Sequence, residues 1–249
     1  MVQEMLEQNL TTLDYYYDIY EELSDERDDL HSQIIKSILS RKRYSTGRKI
    51  FMLGGAPANG KSTFLKSKIV EYPKAAIKID PDEIKTMLPE YTIMTKMHEP
   101  LASSIVHEES SFIAKEIRRI SIEAGYDIII DGVANDTLYR RLQDIEELRS
   151  NGHYIRIDYV TIDTFLSLKL ADLRYKFTGR QVPETYIIEK NRKIALLIPE
   201  LIENKAFDEL YLWDTNIQNT PRLILSQKKG KLNLINEVLY ENFKRKAND

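Results

Sequence analysis

Eight consecutive residues, Gly55-Ala56-Pro57-Ala58-Asn59-Gly60-Lys61-Ser62, constrain this chain more than anything else in it. They match G-x-x-x-x-G-K-[ST], a spacing whose backbone N–H groups turn inward around phosphate oxygens. Glycine supplies the dihedral freedom for the turn and the room for a ligand to come close. An apolar run, Lys49–Leu53, precedes the loop, and a helical pattern begins near Lys61. The loop therefore joins a strand to a helix whose positive end faces the same phosphates. Only nine glycines occur in 249 residues, and three of them, Gly54, Gly55 and Gly60, fall in this window, so the clustering is not compositional noise. Lys61 brings a mobile cation for β- and γ-phosphates, and Ser62 a hydroxyl for Mg2+. With Thr63, these residues form the candidate nucleotide-binding segment.

The surrounding pattern places that loop in an α/β protein. Residues 1–46 read as helical, with one stripe of Leu13, Tyr16, Tyr20 and Leu23 and a second of Leu30, Ile34, Ile35, Ile38 and Leu39. Such a tyrosine-rich stripe packs on its own domain or docks a partner. Ser45-Thr46-Gly47 punctuates its end, dividing an N-terminal helical extension, 1–46, from a domain over 47–249. From there strand and helix alternate. Strands are expected at Ala75–Ile79, Tyr126–Asp131 and Tyr154–Val160, with weaker ones at Glu209–Asp214 and Arg222–Leu225. Helices are expected over Ser103–Ala124, around Leu138–Leu148, and over Leu232–Lys246. Asp80 ahead of Pro81 reads as a helix cap, as does Asp163. The alternation predicts a parallel sheet flanked by helices, of the P-loop NTPase/kinase type.

Composition removes several function classes. There is no cysteine, which excludes disulfides, thiolate metal sites and cysteine catalysis. Thirty-six basic against 39 acidic residues leave a net charge of −3, without the basic excess a duplex-binding protein needs. The acidic N-terminus lacks the apolar stretch of a signal peptide, and no apolar run is long enough to span a membrane, so a cytoplasmic protein is expected. His31, His98, His107 and His153 show no metal spacing.

Three further places carry chemistry. Asp82 follows the second strand, where α/β sheets put their ligand crevice, and a carboxylate there can accept the proton of an attacking hydroxyl. Asp131 ends an apolar strand ahead of Gly132, the usual place for an acid that acts on Mg2+. Arg174 and Arg180 flank Gly179 in a segment rich in cations, suited to meet the charge of a transferring γ-phosphate.

In these residues the chain resembles the zeta-toxin family of P-loop kinases, whose characterised members phosphorylate UDP-N-acetylglucosamine on a sugar hydroxyl. The resemblance rests on residues 54–63, on Ile79-Asp80-Pro81-Asp82-Glu83-Ile84-Lys85, on His107-Glu108-Glu109-Ser110 with its helix through to Asp131-Gly132, and on Gly179-Arg180-Gln181-Val182-Pro183. It implies ATP and Mg2+ as cofactors, with Lys61 and Ser62 on phosphates and metal. It makes Asp82 the catalytic base and sets Arg174 and Arg180 on the transferring group. Glu108, Glu109 or Glu116 would touch a small-molecule hydroxyl acceptor. Family toxins are often held by a helical antitoxin; here a separate antitoxin or cis-inhibition by residues 1–46 are both open. Two departures bear on the acceptor: Val133 stands where the family commonly has threonine, and Leu88-Pro89 where it often has His-Pro. A same-fold kinase for an antibiotic hydroxyl or a nucleic-acid end, and a non-catalytic nucleotide-binding switch, are the other readings these residues allow.

Overall fold

A computed structural model describes residues 1–17, 22–41, 43–132, 137–178, 182–217 and 219–248. Tyr20, Val133, Gly179, Arg180 and Gln181, named above, lie outside them. In chain order the elements are α1 (Val2–Gln8), α2 (Thr12–Tyr16), α3 (Asp25–Leu39), β1 (Lys49–Gly54), α4 (Lys61–Ser67), β2 (Ile77–Ile79), α5 (Pro81–Lys85), α6 (Pro89–Lys96), α7 (Ala102–Ile105) and α8 (His107–Glu123). There follow β3 (Ile128–Asp131), α9 (Leu138–Ser150), β4 (Tyr154–Thr161), α10 (Thr164–Thr178), α11 (Glu184–Asn204), β5 (Glu209–Asp214), β6 (Arg222–Lys228), β7 (Lys231–Leu234), α12 (Glu237–Arg245) and a closing 3-10 turn (Lys246–Asn248). They form two compact units, residues 1–44 with 79–124, and residues 45–78 with 125–249.

The first unit is helical, and the N-terminal helices belong to it together with α5–α8. Ile34 and Ile38 of α3 are buried, as are Ile84, Leu88, Met94, Ile113 and Ile117. At its centre lies a charged cluster. Arg27 Nε and NH2 donate to the two oxygens of Glu109 at 2.6 and 2.7 Å, and NH1 and NH2 donate to the two of Glu90 at 2.9 and 3.0 Å. His31 Nε2 reaches Glu109 Oε1 at 2.6 Å, and the Tyr16 ring sits 4.0 Å from the guanidinium. All four charged or titratable members of the ion-pair cluster are buried. Such a cluster is tolerated in a dry interior because each charge is met by opposite charge and by hydrogen bonds. Tyr16 donates to Glu90 and Tyr15 to Glu4, so these two tyrosines pack within their own unit.

The second unit is built on the sheet β2-β3-β1-β4-β5-β6-β7. β3, β1, β4 and β5 pair in parallel, whereas β6 and β7 are antiparallel. The architecture is mixed α/β with a mostly parallel sheet, and its strands carry near-continuous apolar runs, as strands covered on both faces do. Ile50, Met52, Ile155, Ile157, Leu210 and Leu212 are fully buried, and Ile194, Ile198 and Leu201 of α11 join them.

Two expected elements differ. Ser103–Ala124 is not one helix: Val106, at φ −94° and ψ 3°, separates α7 from α8. The expected closing helix over Leu232–Lys246 begins only at Glu237, capped by Asn236, and residues 231–234 are a strand. The cause is the Lys229-Gly230 turn, both residues at positive φ, which is the two-residue hairpin that matches strand twist.

Candidate functional site

The phosphate loop is shaped where β1 runs out. Gly55 has φ +150°, and an added Cβ there would meet Val160 Cγ2 and the Val160 carbonyl at 2.7 and 2.8 Å. Gly60, at φ +80°, is the residue from which α4 starts. Between them the chain curls so that Asn59 N donates to Ala56 O at 3.2 Å. Lys61 Nζ reaches back across this curl to the carbonyls of Gly55 and Ala56, at 2.8 and 3.4 Å. Its cation is thus carried over the loop's mouth, where the spacing predicts phosphate. α4 is seated by Phe64, whose ring lies 5.4 Å from Trp213 in a cluster with Leu53, Val160 and Tyr211.

Asn59 fixes the loop to the helices behind it. Its Nδ2 donates to Asn191 Oδ1 of α11 at 3.0 Å, and its Oδ1 lies 3.1 Å from the Ser167 hydroxyl of α10. Asn191 Nδ2 in turn donates to Ile187 O. The Thr215 hydroxyl, just past β5, lies 2.8 Å from Asn59 O and 3.0 Å from Thr161 O. Asn59, Ser167, Asn191 and Thr215 are all buried, where an unmet amide or hydroxyl is costly, so the loop has one low-energy setting. The sequence marks Asn59 only as a motif position, and Ser167, Asn191 and Thr215 not at all. The legible signal for Asn191 is a polar residue at helical spacing among Ile187, Ile194 and Ile198.

Asp131 ends β3 in register with Leu53 of β1, and Gly132 N donates to Leu53 O at 3.1 Å. The acid therefore stands on the strand next to the one that leads into the loop. Beneath, Asp158 of β4 is fully buried and accepts from Trp213 Nε1, Tyr72 OH and Arg156 Nε, a cluster that fixes the strand under α4. Burial, together with the Asp158 charge, pushes the Tyr72 phenol up. Arg174 lies on α10 with its side chain exposed, and Arg180 falls outside the described residues.

In the first unit, Asp82 is in the first turn of α5 and Asp80 caps it, Asp80 Oδ1 accepting from Asp82 N at 3.0 Å. Asp82 Oδ1 lies 3.1 Å from the buried Lys85 ammonium, which also donates to Ser103. Of the three glutamates, Glu108 is exposed and Glu116 pairs with Arg119 on the surface. Glu109 is buried in the Arg27 cluster. Burial alone would raise its carboxyl, but hydrogen bonds from His31 and Arg27 outweigh that and hold it at about 2.

A glycine-hinged loop after a strand, a lysine over its mouth and an acid on the neighbouring strand define a P-loop protein of the kinase type. The sequence model described as Zeta toxin matches residues 35–228, and the chain belongs to that family. Solved structures share the fold. A crystal structure of the AvrRxo1-ORF1:AvrRxo1-ORF2 complex with sulphate ions is 18% identical, with 89% of this chain and 73% of that one covered and a TM-score of 0.71. The same complex with ATP is 17% identical over the same shares, with a TM-score of 0.65. The PezAT chromosomal toxin–antitoxin system of Streptococcus pneumoniae is 15% identical, covering 91% of this chain and 97% of that one, with a TM-score of 0.65. No curated protein matches the chain in sequence. Among the described residues no helix is long and apolar enough to cross a membrane.

Proposed function

We propose that this chain is an ATP-dependent phosphotransferase that moves the γ-phosphate onto a hydroxyl of a small molecule. A sugar nucleotide such as UDP-N-acetylglucosamine is the acceptor class that family membership favours. The observation that carries the reading is the phosphate loop, with Lys61 over its mouth and Asn59 locked behind it, in a zeta toxin family chain.

Each residue has a physical task. The loop's N–H groups and Lys61 hold the phosphates, and Arg174 and Arg180 take up the charge that develops on the transferring group. Asp82 accepts the proton of the attacking hydroxyl, and its ion pair with Lys85 gives the carboxylate a fixed direction. Ser62, exposed at the start of α4, and Asp131 supply hard oxygen donors of the kind Mg2+ prefers. When bound, that ion neutralises phosphate charge. Of the three glutamates, Glu108 is open to solvent for an acceptor's hydroxyls, and Glu116 reaches one only by giving up its pair with Arg119. Glu109 acts through the packing of α8. An antitoxin-type protein partner belongs to the same reading, supported by the toxin–antitoxin system among the structural relatives.

The test is labelled ATP with a panel of sugar nucleotides, nucleosides and RNA ends, scored by a gain of about 80 Da per transferred phosphoryl group. Lys61→Ala is expected to lower transfer about 10²–10³-fold. Asp82→Asn is expected to abolish transfer and spare ATP binding. Transfer that survives Asp82→Asn removes the base assignment, and a signalling function that survives it while failing in Lys61→Ala returns the switch reading.

A further inference from the structure

Beside the phosphate loop, the second unit holds a cavity of about 680 Å³ at the C-terminal ends of β4 and β5, where Thr161 and Asp214 stand in register. Two tethers join its walls to the loop. Thr215, between the lining residues Asp214 and Asn216, touches Asn59 O, and Ser167, between Phe165 and Leu168, lies 3.0 Å from Pro57 O. Phe165, Leu168 and Leu239 are among its apolar lining, and Asp214, Asn242 and Arg245 among its polar lining. This is the composition of a site for a flat heteroaromatic group that is held by its faces and read at its edge. The two tethers place this cavity next to the residues of the phosphate loop.

One wall comes from an unexpected source. Leu239, Asn242 and Phe243 of α12, Arg245 at its end, and Lys246 all lie beyond residue 228, where the family match stops. The segment is nonetheless fastened to the strand end that bears the cavity. The buried Lys246 ammonium donates to Thr161 Oγ1 at 2.7 Å and to the Ile162 carbonyl. We infer that α12 is part of the nucleotide site, its Asn242 and Arg245 contacting the base of the nucleotide whose phosphates the loop holds. The inference rests on the loop being a nucleotide site, and it makes the chain's last helix a determinant of which nucleotide is accepted.

The experiment compares ATP with inorganic tripolyphosphate by titration calorimetry on the full chain, in Asn242→Trp, Arg245→Glu and Val238→Trp. Val238 is on the same helix, exposed and outside the cavity lining. Asn242→Trp is expected to weaken ATP tenfold or more and Arg245→Glu several-fold, each leaving tripolyphosphate within twofold; Val238→Trp changes neither. Unchanged ATP affinity in both cavity variants overturns the inference, as does equal weakening of both ligands or an equal effect of Val238→Trp. Wild-type chain that binds neither ligand removes the loop reading as well, and is distinguished by that from failure of the cavity alone. Asn242 and Arg245 are both exposed, so either variant folds without disturbing the core, and each tests the inference by itself.

Discussion

Replacing Arg27 with methionine removes the guanidinium that meets both Glu90 and Glu109 in the interior of the first unit. Four charge-assisted hydrogen bonds, between 2.6 and 3.0 Å, go with it. Methionine refills most of the volume but leaves two carboxylates in a dry site, with His31 as the nearest compensation. Breaking a buried pair this way costs about 3–5 kcal/mol. The pH dependence gives a second handle. Glu109 is depressed in the folded state, from 4.5 to about 2, so its contribution is fully present above pH 4.5 and is lost as pH falls toward 2. That difference corresponds to about 3 kcal/mol. In Arg27→Met the depression loses a main cause, so the penalty of the variant shrinks between pH 5 and pH 3. The readout is far-UV circular dichroism in urea, joined with hydrogen exchange over α3 and α8. The single tryptophan, Trp213, lies in the second unit and reports on the wrong part. A loss below about 1 kcal/mol, the range of exposed pairs, refutes the reasoning, and so does a loss that is the same at pH 3 and pH 7.

Three further outcomes are expected. Asn191→Leu leaves Asn59 Nδ2 without its acceptor and costs about 1–3 kcal/mol in stability; if the loop's setting matters, KM for ATP rises more than kcat falls, and steady-state kinetics separates the two. Gly55→Ala places a methyl within 2.8 Å of two Val160 atoms, one of them the backbone carbonyl, so calorimetry is expected to show nucleotide binding lost and the melting curve to move down with it. A chain beginning at Arg48 lacks Arg27 and His31, and exposes Glu90 and Glu109 in the unit they leave behind. It is expected to lose hydrogen-exchange protection in α6 and α8, whereas a folded product with raised ATP affinity would instead establish residues 1–46 as a cis inhibitor.

What the sequence made legible follows from range. The loop, the Asp80 cap and the Asp163 cap are read from residues a few positions apart, and each stands as expected: Asp163 Oδ1 accepts from Leu166 N at 3.1 Å. The break at Val106 is invisible to periodicity because the buried stripe Ala102, Ile105, Val106, Glu109, Ile113 and Ile117 runs across it unbroken. Periodicity reports which face is covered, not the ψ of one residue. The hairpin at Lys229-Gly230 was written in local alternation, Lys231-Leu232-Asn233-Leu234, but Leu232, Ile235, Leu239 and Phe243 also fit a helix. Glu109 is the harder case. Nothing local distinguishes it from Glu108, and its partner Arg27 is 82 residues away.

That distance has a consequence for the order in which the chain becomes a protein. The first unit is interrupted between Tyr44 and Ile79, and the intervening stretch carries β1 and the whole phosphate loop. During synthesis at about 5–20 residues per second, Arg27 emerges roughly 4–16 s before Glu109. For that time α3 has a cation and no counter-charge, while the loop and its helix are already outside. The helical unit is complete first, at residue 124, whereas the sheet still waits for β3, β4 and β5 after it. A nascent chain therefore displays its phosphate-binding residues long before it owns β4 and β5, the strands that shape the loop's surroundings.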